Sequence, residues 1–535
     1  MNYQEESPHV ISQNPFSREA NLKSAIVEDK VWDLIVIGGG ATGLGTAVDA
    51  ATRGLSTLLL EQADFAKGTS SRATKLVHGG VRYLAQGDIA LVREALRERG
   101  LLLKNAPHLV KNQSFIIPNY SWWDGVFYTI GLSVYNLLAG KLSFGRAKHI
   151  SKQEVLKRLP GIEDLSLHGG VVYQDGQFDD ARLAVNLAQT AIEQSAAVLN
   201  YVKVTGLLKS NGKVAGVKAV DVETGKAYEF KAKTVVNATG IFVDDVLRMD
   251  SPEKNPIVRP SQGVHIVLSP DFMPTGDALM IPKTSDGRVL FAVPWHNKLI
   301  LGTTDTLIDQ NSLEPVALEK EITFILETAS QYLKKKPTRS DVLSVFAGLR
   351  PLAAPQKGSS KTKEISRSHK IMVSSAGLIT IIGGKWTTYR KMGEDAVDIA
   401  VKTGELKAGT SKTNNLPVHG SLPNPNRDTH WFVYGTDTDR IKALVKENPD
   451  WANRVHPGDE YTQAEVIWSV RNEMARTVDD ILARRVRILF LDARLAIKMA
   501  PAVAKLMADE LHKDVLWQQE QISIFIEIAK NYTLI

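Results

Sequence analysis

The sequence predicts an α/β fold in which a parallel sheet with a nucleotide-binding turn is combined with an antiparallel sheet and followed by a helical region. Residues 31–61 follow the order strand, glycine-rich turn, helix and strand. Residues 259–380 contain several short strand patterns, which predict the antiparallel sheet, and beyond residue 400 the apolar residues recur at helical spacing. At 535 residues, the chain is longer than one hydrophobic core supports, so we expect more than one domain.

The glycine-rich turn organises the first part of the chain. The apolar run 34–37 predicts a strand buried on both faces, and Gly38, Gly40 and Gly43 follow it at the spacing of a dinucleotide-binding turn. The helix after such a turn directs free N–H groups at a pyrophosphate, so this geometry predicts anion binding. Glu61 ends the next strand about 20 residues later, where it can accept hydrogen bonds from a ribose 2′-OH.

The composition excludes several classes of chemistry. The chain has no cysteine, which rules out disulfides, thiolate catalysis and iron–sulfur clusters. Its 12 histidines lack metal-ligand spacing, so we predict no metal site. The net charge of +6 and the pI near 9.0 favour anionic ligands or a membrane surface, whereas the lack of a Lys/Arg cluster disfavours nucleic acid. The first 29 residues contain no secretory signal, and we expect a cytoplasmic protein.

Two further segments have the composition of a cofactor pocket. Residues 65–83 combine small hydroxyl residues, glycines and cations, which suits a loop around a phosphate and a flat ring, with a solvated loop as the alternative. Residues 234–240 predict a second buried strand that ends in small residues, where the backbone can approach a ligand closely. Asp179 and Asp180 precede a helical pattern, so we expect them to cap a helix rather than to act in catalysis.

Taken together, the runs GGGATGLG and TSSRATKLVHGGVRYL resemble the FAD-dependent glycerol-3-phosphate dehydrogenase family. The family pattern continues in DGQFDDARL, VVNATGIFVDDV, LGTTDT, FAGLRPL and IIGGKWTTYRKM, so the resemblance covers residues 31 to about 395. It implies FAD rather than NAD, and a Rossmann-like FAD-binding domain interleaved with an antiparallel-sheet substrate domain as in D-amino-acid oxidase. It also implies oxidation of sn-glycerol 3-phosphate to dihydroxyacetone phosphate, with hydride passing from C2 to the flavin.

The resemblance implies which residues hold the cofactor. Most belong to the glycine turn, to the loop 69–79 and to the segment 383–387, and the backbone at Val204 would contact the adenine. The predicted set is Gly38, Gly40, Thr42, Gly43, Glu61, Thr69, Ser70, Ser71, Thr74, Lys75, His78, Gly79, Val204, Ala238, Gly240, Gly383, Gly384, Lys385, Trp386 and Thr387.

For the substrate, the resemblance implies a pocket of cations at family motif positions. Arg367, with Lys385 or Arg82 helping, is assigned to the phosphate and Arg350 to the C2 oxygen, while Tyr83 shapes the pocket. Arginine can hold a phosphate through two hydrogen bonds and lysine as a point charge. Taken singly, each cation is more often a surface or salt-bridge residue.

His265 is the predicted general base, because the hydroxyl proton must leave as hydride is transferred. Two alternatives stay open: Lys385 as the base, or deprotonation assisted by Arg350, since a cation lowers the pKa of an alcohol. A further alternative is that His265 is only a hydrogen-bonded strand residue.

These motifs do not specify the electron acceptor, because a quinone reductase and an oxygen-using oxidase share them. The aromatic-rich segment 121–142 is uncharged between residues 125 and 140. That stretch would measure about 24 Å as a helix, too short to span a bilayer. It suits a helix lying in the headgroup region, or equally one buried in the core. The segment favours a respiratory quinone as the acceptor, and the family resemblance implies peripheral membrane attachment, which we expect at the inner face of the cell membrane. The alternatives are an oxidase that reduces O2 to H2O2 and, from another class, a basic FAD protein that binds RNA.

The expected domain boundaries follow from the composition. They give a tail at 1–29, the oxidoreductase region at 30–405, a linker at 406–427 and a helical domain at 428–535. In the last of these, residues 462–465 form a capping box, and Thr477 with Asp480 could begin a further helix. This domain carries no recognisable chemistry, so packing, homodimer formation and membrane docking are its expected roles.

Overall fold

The computed structural model describes residues 14–80, 88–253, 255–282, 284, 287–353 and 369–534. The strands are β1 Val31–Ile37, β2 Thr57–Leu60, β3 Leu76–Val77, β4 Val110–Asn119, β5 Lys148–Ser151, β6 Gly169–Phe178, β7 Ala197–Leu199, β8 Val202–Ser210, β9 Lys213–Asp221, β10 Ala227–Asn237, β11 Val258–Leu268, β12 Ala278–Ile281, β13 Leu290–Trp295, β14 Lys298–Gly302, β15 Thr306–Leu307, β16 Ser344–Ala353, β17 Lys370–Val373 and β18 Ile379–Ile382. The helices are α1 Arg18–Ala25, α2 Ala41–Thr52, α3 Ile89–Asn105, α4 Trp122–Ala139, α5 Lys152–Arg158, α6 Asp180–Glu193, α7 Val243–Asp250, α8 Glu319–Tyr332, α9 Tyr389–Thr403, α10 Thr438–Ala443, α11 Gln463–Asn472, α12 Ile488–Leu491, α13 Ala493–Leu511 and α14 Val515–Lys530.

The predicted nucleotide-binding sheet is centred on β1. Its strand order is β17-β18-β10-β1-β2-β7, and β1 runs parallel to β10 on one side and to β2 on the other. Leu34, Ile35 and Val36 are fully buried, which explains the unbroken apolar run of this strand. The glycine turn follows the carboxyl end of β1, between strands that come from different parts of the chain. In such sheets this is where ligands bind.

Helices α2 and α9 bring distant parts of the chain together at two glycines. A Cβ on Gly393 would lie 2.5 Å from the backbone of Gly45, so the helices approach more closely than side chains would allow. The segment just before α9 is therefore held beside the glycine turn.

The second sheet has the order β15-β11-β14-β13-β12-β4-β6-β3, with β16 paired to β11 and β5 to β6. His265 on β11 lies opposite Gly302 of β14 and Phe346 of β16, and Arg350 lies opposite Ser261. Because side chains alternate along a strand, His265 and Arg350 project from the same face of this sheet.

One part of the strand prediction was wrong. We assigned the strands of residues 371–382 to the antiparallel sheet, but β17 and β18 belong to the nucleotide-binding sheet, where β18 runs parallel to β10. All four residues of β18 are buried, as is usual for a strand covered on both faces.

The helical region begins as predicted. Thr462 and Glu465 form the capping box of α11, which ends at Asn472. The carboxylate of Asp480 then accepts hydrogen bonds from the backbone N–H groups of Arg476 and Thr477. A π-helical turn follows at Asp480–Arg485, so a new helical segment starts just after Thr477, as the alternative predicted.

Buried ion pairs fix this helical region to the nucleotide-binding sheet. Asp64, shortly after β2, accepts hydrogen bonds from Arg484 at 2.5 Å and Arg485 at 2.7 Å, and Arg182 on α6 pairs with Glu473 at 2.8 Å. All five side chains are almost completely buried. Removing one partner of such a pair typically costs about 3–5 kcal/mol, because the other charge is left buried without compensation.

Helix α4 has one buried and one exposed apolar face. Leu132 and Tyr135 are buried, whereas Ile130, Val134 and Leu137 are 62%, 42% and 79% exposed. Among the described residues, none of the helices combines the length and the apolar character needed to cross a bilayer. The buried-helix alternative therefore holds for one face of the helix, whereas its location in the headgroup region stays a prediction.

Candidate active site

A cavity of about 790 Å³ connects the glycine turn with the face of the second sheet. It brings together most of the predicted site residues that the structure describes. Those lining it are Gly38, Gly40, Thr42, Glu61, Thr69, Ser70, Thr74, His78, Val204, Ala238, Gly240, His265, Arg350, Gly383, Gly384, Lys385, Trp386 and Thr387.

The glycine turn has the shape of a phosphate cradle. Gly38 has a φ of +111°, and a Cβ there would lie 2.7 Å from the carbonyl oxygen of Ala238. A Cβ on Gly43 would overlap the carbonyl oxygen of Gly38. Gly40, at the start of α2, has no side chain to cap the helix. The Ala41 N–H donates to Oγ of Ser70 at 3.0 Å, so the following N–H groups of the first turn are the ones available to an anion, which fits a dinucleotide.

Glu61 occupies the predicted ribose position at the end of β2. Its carboxylate accepts hydrogen bonds from the backbone N–H groups of Gly39 at 2.6 Å and Ala63 at 2.9 Å. Burial raises the pKa of this carboxyl, and the two hydrogen bonds partly oppose that effect. The side chain is thus fixed in the cavity wall, where it can still accept hydrogen bonds from a ligand.

Hydrogen bonds tie the loop 69–79 to the segment 383–387, far away in sequence. The indole Nε1 of Trp386 donates to the carbonyl oxygen of Ser70 at 2.7 Å, and the backbone N–H of His78 donates to Oγ1 of Thr387 at 3.2 Å. Two segments that the family motifs singled out separately therefore form one wall.

Four predicted cofactor residues do not line the cavity. Gly43 lies behind the turn, and Ser71 and Gly79 are buried. The ammonium of Lys75 is fully buried and donates to Asp180 and to the carbonyl oxygen of Ser71, both at 2.7 Å. Burial lowers the pKa of Lys75 to about 7, although Asp180 opposes this shift. Lys75 therefore supports the loop from behind instead of reaching the cofactor side.

Three predicted substrate residues, Arg82, Tyr83 and Arg367, lie outside the described residues. Asp179 has the capping role we expected, whereas Asp180 has a structural role that we did not expect. Asp179 caps α6, and Asp180, the first residue of that helix, pairs with Lys75.

His265 lies in the cavity wall with a tightly defined ring. It is 2% exposed, stacks on Phe346 with 4.8 Å between ring centroids, and places Nε2 2.9 Å from Oγ1 of Thr74. A Cβ on Gly302 would collide with the ring, so the glycine makes room for it. Burial, followed by the charges of Lys75 and Arg350, holds the pKa of His265 well below its usual value. The imidazole is therefore neutral at physiological pH.

The guanidinium of Arg350 is oriented by the LGTTDT segment. Its Nη2 donates to Oγ1 of Thr303 at 3.0 Å and to the carbonyl oxygen of Thr304 at 3.1 Å, while Nη1 lies 3.6 Å from the carboxylate of Asp305. Gly263 leaves the space that Nη2 occupies. A fixed, partly exposed cation therefore lines the same cavity as the neutral His265.

Several lining residues were missed by the sequence reasoning. They are Arg288, Thr303, Thr304, Asp305 and an aromatic and sulfur wall made of Phe115, Tyr173, Met280 and Phe291. Asp305 and the two threonines stood in a motif that we quoted without assigning roles. The apolar residues alternate along their strands like ordinary core residues, and only the strand pairing shows that they share a face with His265.

A short segment, residues 309–314, crosses from the second sheet to the nucleotide-binding side. Asn311 donates to the carbonyl oxygen of Ile241 at 2.7 Å, and Leu313 lines the cavity. The carboxylate of Glu314 accepts from Arg72 at 2.6 Å and pairs with Lys67 at 2.9 Å. This strap therefore forms part of the wall of the predicted cofactor site, and its acidic side chain holds it together with hydrogen bonds from Asn311 and Arg72.

Glu314→Gln is expected to release bound flavin about tenfold faster, because hydrogen bonds to charged groups contribute about 1.5–3 kcal/mol each. The measurement is the rate at which the flavin-loaded protein loses flavin after dilution into buffer that contains no apoprotein. Glu319→Gln, which breaks the exposed pair between Glu319 and Arg339, is the matched control. Equal rates of flavin release in both variants would contradict a role of the strap in retaining flavin.

Comparisons with known proteins agree with this geometry. A family model described as DAO, FAD dependent oxidoreductase, matches residues 33–390, and one described as the C-terminal domain of alpha-glycerophosphate oxidase matches residues 380–521. Mitochondrial glycerol-3-phosphate dehydrogenase of Macaca fascicularis is 39% identical over 98% of this chain and 76% of its own. The human enzyme is 40% identical over 96% and 75%. The X-ray structure of glycerol-3-phosphate dehydrogenase from Bacillus halodurans, complexed with FAD, has a TM-score of 0.75 at 30% identity and covers 97% of this chain and 98% of that one.

Proposed function

The chain belongs to the family of FAD-dependent glycerol-3-phosphate dehydrogenases, and from this premise we propose that it delivers the electrons of its substrate to a membrane quinone. It oxidises sn-glycerol 3-phosphate to dihydroxyacetone phosphate with FAD as its cofactor. The assignment of roles depends on one observation, that a single cavity joins the glycine turn to His265 and Arg350.

The residues around the turn fit FAD. The open first turn of α2 would hold the pyrophosphate, Glu61 the ribose, and the segment 383–387 the ring system. When bound, FAD supplies the hydride acceptor of the reaction. The protein's own contribution is to place the substrate and to take the hydroxyl proton.

His265 takes the proton from the C2 hydroxyl in this proposal. A neutral imidazole has a lone pair available, and stacking on Phe346 together with the contact to Thr74 fixes the direction of the ring. Arg350 supports the same step, since its positive charge stabilises the oxygen as negative charge develops on it. Lys385 lines the cavity and, with Arg82 and Arg367, would hold the phosphate.

The low pKa of His265 predicts the pH dependence of flavin reduction. A base acts when it is unprotonated, so a lowered pKa keeps His265 competent at lower pH than an ordinary histidine. At saturating substrate, the anaerobic rate of flavin reduction should stay flat from about pH 8 down through pH 6.5, where an ordinary histidine would be half protonated. If the rate of flavin reduction instead rose towards about pH 10, the base would be a lysine, which would favour Lys385 over His265.

Helix α4 supports the choice of a quinone over oxygen. Its exposed row of Ile130, Val134 and Leu137 gives an apolar surface beside a chain of net charge +6. Such a face suits peripheral attachment in the headgroup region, where a lipid-soluble acceptor is concentrated. This surface supports our proposal that the protein attaches peripherally to the cell membrane, at its inner face.

Sequential half-reactions test the proposal. Anaerobic addition of glycerol 3-phosphate should bleach the bound flavin, and a short-chain quinone should then restore its absorbance before air is admitted. Hydrogen peroxide formed on admitting air, with no response to quinone, would assign the protein as an oxidase. If glycerol 3-phosphate did not bleach the flavin, this result would contradict its assignment as the substrate.

A further inference from the structure

The face of β11 that carries His265 is divided between the cavity and the helical region. Gly263 and His265 line the cavity. Two residues further on, Val267 is fully buried and belongs to the core of the helical region, as do Ile300 and Phe346 on the neighbouring strands. Because Ile300 pairs with Val267 and Phe346 with His265, these side chains share one face of the sheet. His265 therefore lies at the boundary between the cavity and that core.

A stack of aromatic rings crosses this boundary. The ring of Phe346, on which His265 stacks, meets the ring of Phe490 on α12 edge to face, with 5.0 Å between centroids and 69° between the planes. Phe490 meets Tyr532 in the same way, with 5.4 Å between centroids. Phe346 and Phe490 are 2% and 1% exposed. Since edge-to-face pairs prefer a specific geometry, Phe490 helps to determine where the ring beside His265 lies.

Backbone contacts hold α12 against the strand that carries Phe346. The hydroxyl of Ser344 donates to the carbonyl oxygen of Leu489 at 2.8 Å, and the backbone N–H of Val345 donates to the carbonyl oxygen of Tyr532 at 2.9 Å. On the strand and on α12, these contacts are one or two residues away from the two phenylalanines. The two rings are therefore held in contact by the backbone on both sides.

Four cations face the stack, and each is paired with a carboxylate: Lys75 and Arg487 with Asp180, Arg72 with Glu314, and Arg350 with Asp305. The ammonium of Lys75 lies 5.4 Å from the centre of the Phe346 ring. With a pKa of about 7, Lys75 becomes more highly charged as the pH falls, which further opposes protonation of His265. The shielded imidazole thus stays neutral, provided that water is kept away from it.

We infer that Phe490 is a positioning residue for the general base, because it holds Phe346, and through Phe346 the imidazole ring of His265, in the wall of the cavity. A smaller side chain at this position would leave a space behind Phe346 into which that ring could tilt. The imidazole would then lose both its fixed direction and its shielding. The helical region thus contributes to catalysis through packing. This role rests on the proposed function, in which His265 takes the proton.

Phe490→Leu tests the inference in the full-length, flavin-loaded protein. At pH 8 the limiting rate of anaerobic flavin reduction should fall about two- to fivefold, with an unchanged substrate constant and flavin content, because only the direction of the base is affected. The loss should grow as the pH falls, because hydration raises the pKa of His265 towards about 6.5. At pH 6 the resulting protonation would slow the reaction about fourfold more, whereas the wild-type rate should change little.

Phe525→Leu is the matched control. Phe525 is on α14, belongs to the same core and is likewise 1% exposed. Both variants should lower Tm, but Phe525→Leu should keep the wild-type rate and pH profile. Phe490→Met covers the case in which Phe490→Leu does not fold, because the flexible methionine fills more of the space without restoring an aromatic ring. It should show the same changes with smaller size.

A wild-type rate with a flat pH profile in a folded Phe490 variant would overturn the inference. An equal loss of rate in Phe525→Leu would also overturn it, since the effect would then be one of general stability. Wild-type flavin that glycerol 3-phosphate fails to reduce would instead overturn the proposed function, so the two failures are distinguishable.

Discussion

Gly43→Ala is expected to produce protein that contains no flavin. A methyl group at this position would overlap the carbonyl oxygen of Gly38, which is part of the turn and cannot rotate away. Relief requires α2 to move off β1, and overpacking of this kind costs about 1–3 kcal/mol or more. The displaced N–H groups would then no longer converge on a pyrophosphate. The measurement is the ratio of flavin to purified protein, with reconstitution attempted at excess FAD.

Gly131→Ala is the matched control for this change. Gly131 lies within α4, and a Cβ there meets no atom within 4 Å, so flavin content should be unaffected. Full flavin in Gly43→Ala would mean that the turn tolerates a side chain at its tightest point. Gly40 is a weaker test, because a Cβ there would lie 3.0 Å from the Ser70 hydroxyl, a side chain that can rotate.

The three glycines show how far the sequence could go. Their spacing between an apolar strand and a helix was enough to predict the turn, since that pattern is local and strongly periodic. The spacing could not show which of the three positions tolerates a side chain least. The atoms that each glycine must avoid come from tertiary packing. At Gly38 the close neighbour is Ala238, which directly follows β10, about 200 residues further along the chain.

Lys75 is a residue whose role local sequence could not predict. A cation in a loop rich in glycine and hydroxyl residues is typical of a phosphate site, and the family resemblance implied that Lys75 binds the cofactor. Its partner Asp180 is 105 residues away, and we had considered that residue only as a helix cap. A charge that is buried and paired cannot be told from an exposed one by local sequence.

The contribution of the helical region to the site could not be predicted for the same reason. Arg487 donates to the carbonyl oxygen of Ser71 at 3.0 Å and to Asp180 at 2.9 Å, so it supports the loop that lines the cavity. Nothing in the local sequence around Arg487 indicates this contact. The region we associated with packing or docking therefore helps to hold the site, through charges whose partners belong to the oxidoreductase region.

Arg350→Ala is expected to slow anaerobic flavin reduction by about 10²- to 10³-fold, the usual effect of removing one group that stabilises a developing oxyanion. Three oxygens of the LGTTDT segment and the space at Gly263 hold the guanidinium in place, and its side chain is still 26% exposed. It can therefore meet a substrate oxygen without first being freed. Flavin content should not change, because the proposed cofactor contacts lie at the turn, in the loop 69–79 and at segment 383–387. Rapid-mixing absorbance at saturating substrate gives the rate.

Two further variants separate charge from geometry. Arg350→Lys keeps the charge but cannot reproduce a planar guanidinium with several donors, so its rate should fall between those of wild type and Arg350→Ala. Arg339→Ala, which removes an exposed arginine just before β16, is the control and should react like wild type. If Arg350→Ala raised KM alone and left the limiting rate intact, Arg350 would belong to phosphate binding. The role at the C2 oxygen would then pass to Lys385, the other predicted catalytic cation in the cavity.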